Sequence, residues 1–148
     1  MIEQGAGDLL AAEVDALVNA VNTVGVMGKG LALQFKKAFP DNFRAYERAC
    51  GSGQVVVGRM LVVERPAAPR YIINFPTKAN WRQPSKLDYV AAGLVDLATV
   101  VSKLGIRSLA MPALGCGLGG LDWTQVRPLI ENAFGQNPAV RVVLFAPR

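Results

Sequence analysis

Four glycines within six positions, Gly115, Gly117, Gly119 and Gly120, follow the apolar run Ser108-Leu109-Ala110-Met111. They precede a helical pattern that opens at Asp122 and carries Val126, Leu129, Ile130 and Phe134 on one face. Backbone stripped of side chains between a strand end and a helix start can approach a ligand closely and turn its N–H groups toward it. At the positive end of a helix dipole such a cradle suits an anion, phosphate above all. A mobile surface turn would share the composition. The spacing of Gly115, Gly117 and Gly120 satisfies GxGxxG, yet a dinucleotide fingerprint needs a βαβ unit and an acidic residue roughly 20 positions on. Glu131 comes too early for that, and a single strand pattern, Val140 to Phe145, remains.

A second glycine loop lies upstream. The apolar run Asp15 to Asn22 leads into Thr23-Val24-Gly25-Val26-Met27-Gly28-Lys29-Gly30, and a helical segment follows from Leu31 to Phe39. It is not a Walker A loop: Thr23 stands where the first glycine should be, and Gly30 replaces the Ser or Thr that would hold magnesium. Two such loops in one small domain can grip a diphosphate from both sides. Asn19 and Asn22 beside the loop either form Asx turns or hydrogen-bond a ribose hydroxyl.

The chain has no histidine, which removes Ser-His-Asp and Cys-His nucleophile systems, HExxH zinc sites and zinc deaminase chemistry together. Catalysis must then come from Lys, Asp, Glu, Tyr or Cys, from water, or from the substrate. Between a strand pattern at Arg70 to Phe75 and a long helix lies Pro76-Thr77-Lys78-Ala79-Asn80-Trp81-Arg82-Gln83-Pro84-Ser85-Lys86. Cations interleaved with an aromatic ring suit single-stranded nucleic acid, the base stacking on Trp81 while Arg82 and Lys86 meet phosphates. Equally, Trp81 can tuck against the core, and Ser85 can cap the helix that follows. The net charge of +5 favours a polyanionic partner. Cys50 and Cys116 form no CxxC or Cys/His cluster, which points to a reducing, cytoplasmic chain without a structural metal. Cys116 reads as a small filler whose N–H matters more than its sulfur. No apolar run approaches the ~20 residues that cross a bilayer.

These residues need a frame to hold them. At 148 residues the chain makes one domain with a real core. Gly7-Asp8-Leu9-Leu10 forms a short turn capped by Asp8, and helical patches cover Leu31 to Phe39 and Asn42 to Ala49, broken by Pro40. Strands are expected at Gly58 to Val63 and Arg70 to Phe75, with Pro66 and Pro69 in the turn between them. A long helix runs from about Lys86 to Lys103 and stops at Gly105. Strands interleaved with helices give an α/β domain with helices on both faces of a mostly buried sheet.

Asn19-Ala20-Val21-Asn22, Gly25-Val26-Met27-Gly28-Lys29-Gly30, Asn74-Phe75-Pro76-Thr77-Lys78, Trp81-Arg82 and Gly115 to Trp123 resemble, in this order, the DarG-type macrodomain family. The resemblance covers essentially the whole chain. It implies a three-layer α/β/α macrodomain around a mixed sheet, spanning residues 1–148 as the N-terminal domain of a longer antitoxin. It also implies a hydrolase that removes ADP-ribose from thymine bases of single-stranded DNA, reversing the modification by a DarT-type toxin partner. ADP-ribose would be the product, with no cofactor. On this resemblance Asp8 contacts the adenine amino group with Leu9 beside it, Phe145 lies against the adenine ring, and Asn22 meets the distal ribose. Gly25, Val26, Met27, Gly28 and Gly30, with Gly115, Cys116, Gly117 and Leu118, hold the diphosphate. Lys78 matches the family's catalytic lysine, and Trp81, Arg82 and Lys86 line the path of the DNA. A neutral Lys78 could attack the anomeric carbon; a charged one could donate to the departing base or the distal ribose. Related vertebrate terminal ADP-ribose hydrolases carry an acidic residue where this chain has Gly119. Other readings are a non-catalytic ADP-ribose-binding module, a general nucleic-acid-binding domain and a macrodomain cleaving ADP-ribosyl esters of protein carboxylates.

Overall fold

Alternation along strand β2 (Ala16–Asn22) divides its side chains between two apolar layers. Ala16 and Val18 enter one layer, Leu17 and Val21 the other, and all four are buried. Neighbouring strands repeat the division, so the sheet is hydrophobic on both faces and must be covered on both. A computed structural model describes residues 1–80 and 82–147. Six strands form one sheet in the order β1-β6-β5-β2-β4-β3, with β1 (Ile2–Gln4), β3 (Leu61–Glu64), β4 (Tyr71–Lys78), β5 (Ser108–Met111) and β6 (Arg141–Leu144). Every pairing is parallel except β3 with β4, so the sheet is mixed.

Helices α3 (Leu87–Leu104) and α4 (Trp123–Phe134) cover the face carrying Val18, Phe75 and Leu109. Helices α1 (Gly30–Ala38) and α2 (Pro40–Gly51), with a 3₁₀ turn at Leu9–Ala11, cover the opposite face through Phe35, Tyr46 and Leu9. The three-layer α/β/α arrangement is the one expected. Local chemistry sets the helix ends: Pro40 opens α2, the Asp122 carboxylate accepts from Thr124 N–H at 2.9 Å to start α4, and Gly105 closes α3 at φ 65°.

Several boundaries differ from those read in the sequence. β1 was not expected; it pairs in parallel with β6 and extends the sheet by one strand. β3 starts at Leu61 rather than Gly58, because the chain turns at Gly58 with φ 86°. β4 continues past Phe75 to Lys78, so the lysine ends a strand instead of riding a loop. Pro76 is tolerated because β3 reaches only to Asn74, leaving β4 with a neighbour on one side beyond it. Ser85 is not the cap of α3: the capping position is Lys86, without a side-chain bond, and Ser85 N–H donates instead to Gly119 O at 3.0 Å. Among the described residues no helix is long and apolar enough to cross a membrane.

Topology decides where a ligand can sit. The C-terminal ends of the parallel strands β6, β5, β2 and β4 share one edge of the sheet. The chain leaves β2 toward α1 on one face, whereas from the adjacent β5 it leaves toward α4 on the other. That divergence opens a crevice at the strand ends, the usual ligand position in open α/β sheets.

Packing of α3 on β4 relies on Gly93, where a Cβ would lie 2.4 Å from the Phe75 ring. Gly93→Ala should therefore destabilise the fold by about 1–3 kcal/mol through overpacking, despite alanine's better helix propensity. A urea midpoint at or above that of the wild type would contradict this packing.

Candidate functional site

One wall of the crevice is the loop Thr23–Lys29, and Asn22 shapes it. The Asn22 carboxamide oxygen accepts from Val24 N–H at 3.0 Å, Val26 N–H at 3.4 Å and the Tyr46 hydroxyl at 2.7 Å. Its amide donates to Val26 O at 2.8 Å. The side chain is 93% buried in these bonds, at 7% exposure, and of the two roles open to it the Asx turn is the one formed. Met27 turns its side chain down into the core beside Tyr46, leaving the loop's backbone and the exposed Val24 and Val26 at the surface. No side chain caps α1, so its first-turn N–H groups, which have no intrahelical acceptors, face the loop end around Gly28 and Gly30. With no acidic residue in that turn, the helix terminus is suited to an anion.

The opposite wall is the arch Gly115–Gly120. Leu121 N–H donates to Gly115 O at 2.9 Å and closes its base. Cys116 N–H donates to Ala113 O at 3.0 Å and so shapes the turn. Gly119 has no room for a side chain: a Cβ there would fall 2.3 Å from Gly115 O and 2.4 Å from Ser85 Oγ. An acid at this position would require the arch to move. Gly117 and Leu118 form the exposed crest, and Leu118 Cδ1 lies 3.6 Å from where a Cβ of Gly30 would be, so the two walls meet.

Lys78 joins the walls from below. The register of β2 against β4 slips between Val21 and Asn22, setting Asn22 across from Lys78 instead of Thr77. Such an irregularity re-aims the side chains beyond it. The half-buried Lys78 donates from Nζ to Leu118 O at 3.1 Å. Thr23 adds a second tie, its hydroxyl donating to Ala79 O.

At the far end of the strand edge, Asp8, Gly5, Ala6 and Phe145 line a cavity of about 420 Å³. One Asp8 oxygen accepts from Leu10 N–H at 3.0 Å, the turn cap expected of it. Leu9 buries its side chain against Leu17 and Phe35, which leaves its backbone as the part able to meet a ligand. The Phe145 ring packs on Gly5, where a Cβ would lie 2.7 Å away. On the Lys78 side, Arg82 and Lys86 are exposed; Arg82 N–H donates to Asn80 Oδ1 at 2.9 Å, and the Lys86 ammonium stands 5.5 Å from the Tyr89 ring centre. The stacking surface expected at Trp81 lies outside the described residues.

Three functional supports escaped the sequence reading. Asn42 and Asn74 exchange amide hydrogen bonds at 2.9 and 3.1 Å in the buried layer, and Asn19 donates to Asn74 at 3.4 Å. Asparagines inside apolar strand and helix patterns were the signal, since buried amides persist where they pair. Tyr46 braces Asn22 from α2, a role nothing in the helical pattern around it signals; burial pushes its hydroxyl pKa up. Burial, and then the Asp122 carboxylate, push the Cys116 thiol up to about 11. Burial also raises that of Cys50. Both shifts disfavour the thiolate, the form in which a cysteine attacks.

The Macro domain family model matches residues 18–130. The chain is 54% identical over 149 aligned residues to the DNA ADP-ribosyl glycohydrolase of Mycobacterium tuberculosis, covering 99% of this chain and 42% of that protein. It thus spans about two fifths of the length of that relative. The solved macrodomain of Mycobacterium tuberculosis DarG superposes with a TM-score of 0.98 at 53% identity, covering 100% of this chain and 99% of that one. Thermosipho africanus DarTG in complex with ADP-ribose superposes with a TM-score of 0.89 at 35% identity, covering 95% and 40%.

The raised Cys116 pKa makes a titratable prediction. Alkylation proceeds through the thiolate, so iodoacetamide labelling of Cys116 followed by mass spectrometry should keep accelerating from pH 8 to pH 11. At pH 8 the rate should be about a hundredfold below that of an ordinary cysteine. A rate that levels off by pH 9 would contradict the burial described.

Proposed function

The chain belongs to the macro domain family, and from that premise we propose that it is a DNA ADP-ribosyl glycohydrolase. In this reading it frees ADP-ribose from thymine bases of single-stranded DNA and so reverses a DarT-type toxin, as the antitoxin domain of a longer protein. The observation that carries the reading is Lys78, whose Nζ stands 3.1 Å from the Leu118 carbonyl between the two glycine walls. An ADP-ribosyl group with its diphosphate between those walls directs its second sugar toward that amine.

The order of parts along the strand edge supports the same placement. Phe145 follows β6, the Gly115–Gly120 arch follows β5, the Thr23–Lys29 loop follows β2, and Lys78 ends β4. Three strand spacings of about 4.8 Å set these stations over roughly 14 Å. Adenine sits at the Asp8 and Phe145 end, the diphosphate at the α1 terminus between the loops, and the reacting sugar at Lys78. Asn22, its carboxamide held in the Asx turn, shapes the loop beside the distal ribose, and the exposed Arg82 and Lys86 receive the DNA strand beyond.

Lys78 acts at the anomeric carbon. As the glycosidic C–N bond breaks, the base leaves with the bonding pair and takes up the proton that the attacking ε-amine sheds. The ε-amine adds to the carbon, and water then displaces it to release ADP-ribose. With no histidine in the chain, the lysine that stands between the two glycine walls is the nucleophile best placed for this step.

One observation favours a second reading, a module that binds ADP-ribosyl groups without cleaving them: Gly119 leaves no space for an acid in the arch beside Lys78. Lys78→Ala separates the two. If the lysine is the nucleophile, the variant releases ADP-ribose from modified single-stranded DNA at least a thousandfold more slowly (about 4 kcal/mol in the barrier) yet binds free ADP-ribose. Turnover at the wild-type rate would remove Lys78 from the chemistry. Retention of labelled substrate by excess wild-type protein, with no sugar nucleotide released, would establish the binding module.

A further inference from the structure

We propose that Ser85 is a positioning residue whose hydroxyl partners the Gly115 carbonyl in a tightened form of the glycine arch. The inference rests on the reading of the crevice as an ADP-ribose site. Ser85 is 5% exposed, and its Oγ has no hydrogen-bond partner among the described residues. A buried hydroxyl left without a partner destabilises the state that contains it, so a second state that supplies a partner is favoured by it.

The arch supplies the acceptor. Ser85 Oγ and Gly115 O both lie within 2.4 Å of a single point, the place a Cβ on residue 119 would occupy. Gly115 O already accepts from Leu121 N–H, and a carbonyl has a second lone pair to offer. Ser85 itself is tied to the arch, its N–H donating to Gly119 O at 3.0 Å. The crest next to that bond carries Leu118, 67% exposed, whose carbonyl is the Lys78 acceptor.

Ser85 and Lys78 therefore hold consecutive carbonyls of one glycine-rich segment. A diphosphate that draws the arch's N–H groups inward lowers the crest, lets Ser85 Oγ–H close on Gly115 O, and moves the Leu118 carbonyl away from Lys78. The amine is then released toward the sugar only when a diphosphate is in place. Absence of a side chain at Gly119 is what leaves room for this closure, which gives that glycine a purpose beyond the lost acid.

Calorimetric ADP-ribose binding, hydrogen exchange over residues 115–121 and thermal melting of the wild type, Ser85→Ala and Ser85→Cys test this directly. Ser85→Ala should melt no lower than the wild type, bind ADP-ribose about tenfold more weakly, and lose the ligand-induced protection of the arch. Ser85→Cys, similar in size but a poor donor, should fall between them. Wild-type affinity and protection in Ser85→Ala, or in Ser85→Cys should the alanine variant fail to fold, would overturn the proposal. A melting temperature lowered in step with the affinity would overturn it too, since Ser85 would then be a packing residue. If the wild type binds no ADP-ribose, the reading of the site fails and takes this inference with it; if it binds normally and the variants match it, the latch alone fails.

Discussion

A reciprocal pair of amide hydrogen bonds between Asn42 and Asn74, buried in the layer under α1 and α2, fixes the geometry on which the crevice depends. It ties α2 to β4, and Asn74 extends the tie to β3 through Leu61 O and to β2 through Asn19. In a low-dielectric layer such a network is directional as well as attractive, because displacing one amide leaves another unpaired at about 1–3 kcal/mol. Apolar packing alone would tolerate a sliding strand or a rotated helix. The amides hold β2 and β4 in one register up to the irregularity that sets Lys78 across from Asn22. From the same helix Tyr46 reaches Asn22 and shapes the first glycine wall.

The two walls are built differently, and the difference suits their tasks. The Thr23–Lys29 loop is braced from beneath by Asn22, Tyr46 and the buried Met27, so it presents a preformed backbone at the start of α1. The Gly115–Gly120 arch rests on a few main-chain bonds and on contacts to Lys78 and Ser85. A rigid wall orients an anion, and a looser one can close on it. Crowding between Gly115, Gly119 and Ser85 leaves no room for a side chain at position 119 unless the arch moves.

Much of this was legible in the sequence. The buried strands at Ala16–Asn22 and Ser108–Met111, the Asp122 start of α4 and the Gly105 stop of α3 follow from apolar runs and capping chemistry that act locally. Both glycine loops announced themselves by composition and by their place between strand and helix. What escaped was tertiary. The three residues of β1 are too few to show a period, and their strand exists because β6 offers an edge. The strand expected to end at Phe75 runs on through Pro76, which is acceptable only because β3 does not lie beside it. Ser85 fits a helix cap by type, but its N–H is claimed by an arch more than thirty residues away in sequence. The amide network was hidden because a lone asparagine in an apolar run does not declare its partner.

One arrangement underlies the proposed activity: a diphosphate between two walls of bare backbone, with a lysine at the sugar end. A crystal structure with ADP-ribose bound tests it most directly, through the distance from Lys78 Nζ to the anomeric carbon. The diphosphate should lie between Gly25–Gly30 and Gly115–Leu118, with Nζ at about 3–3.5 Å from that carbon, a near-attack separation. A diphosphate bound elsewhere, or a Lys78 amine turned to solvent away from the sugar, would contradict it.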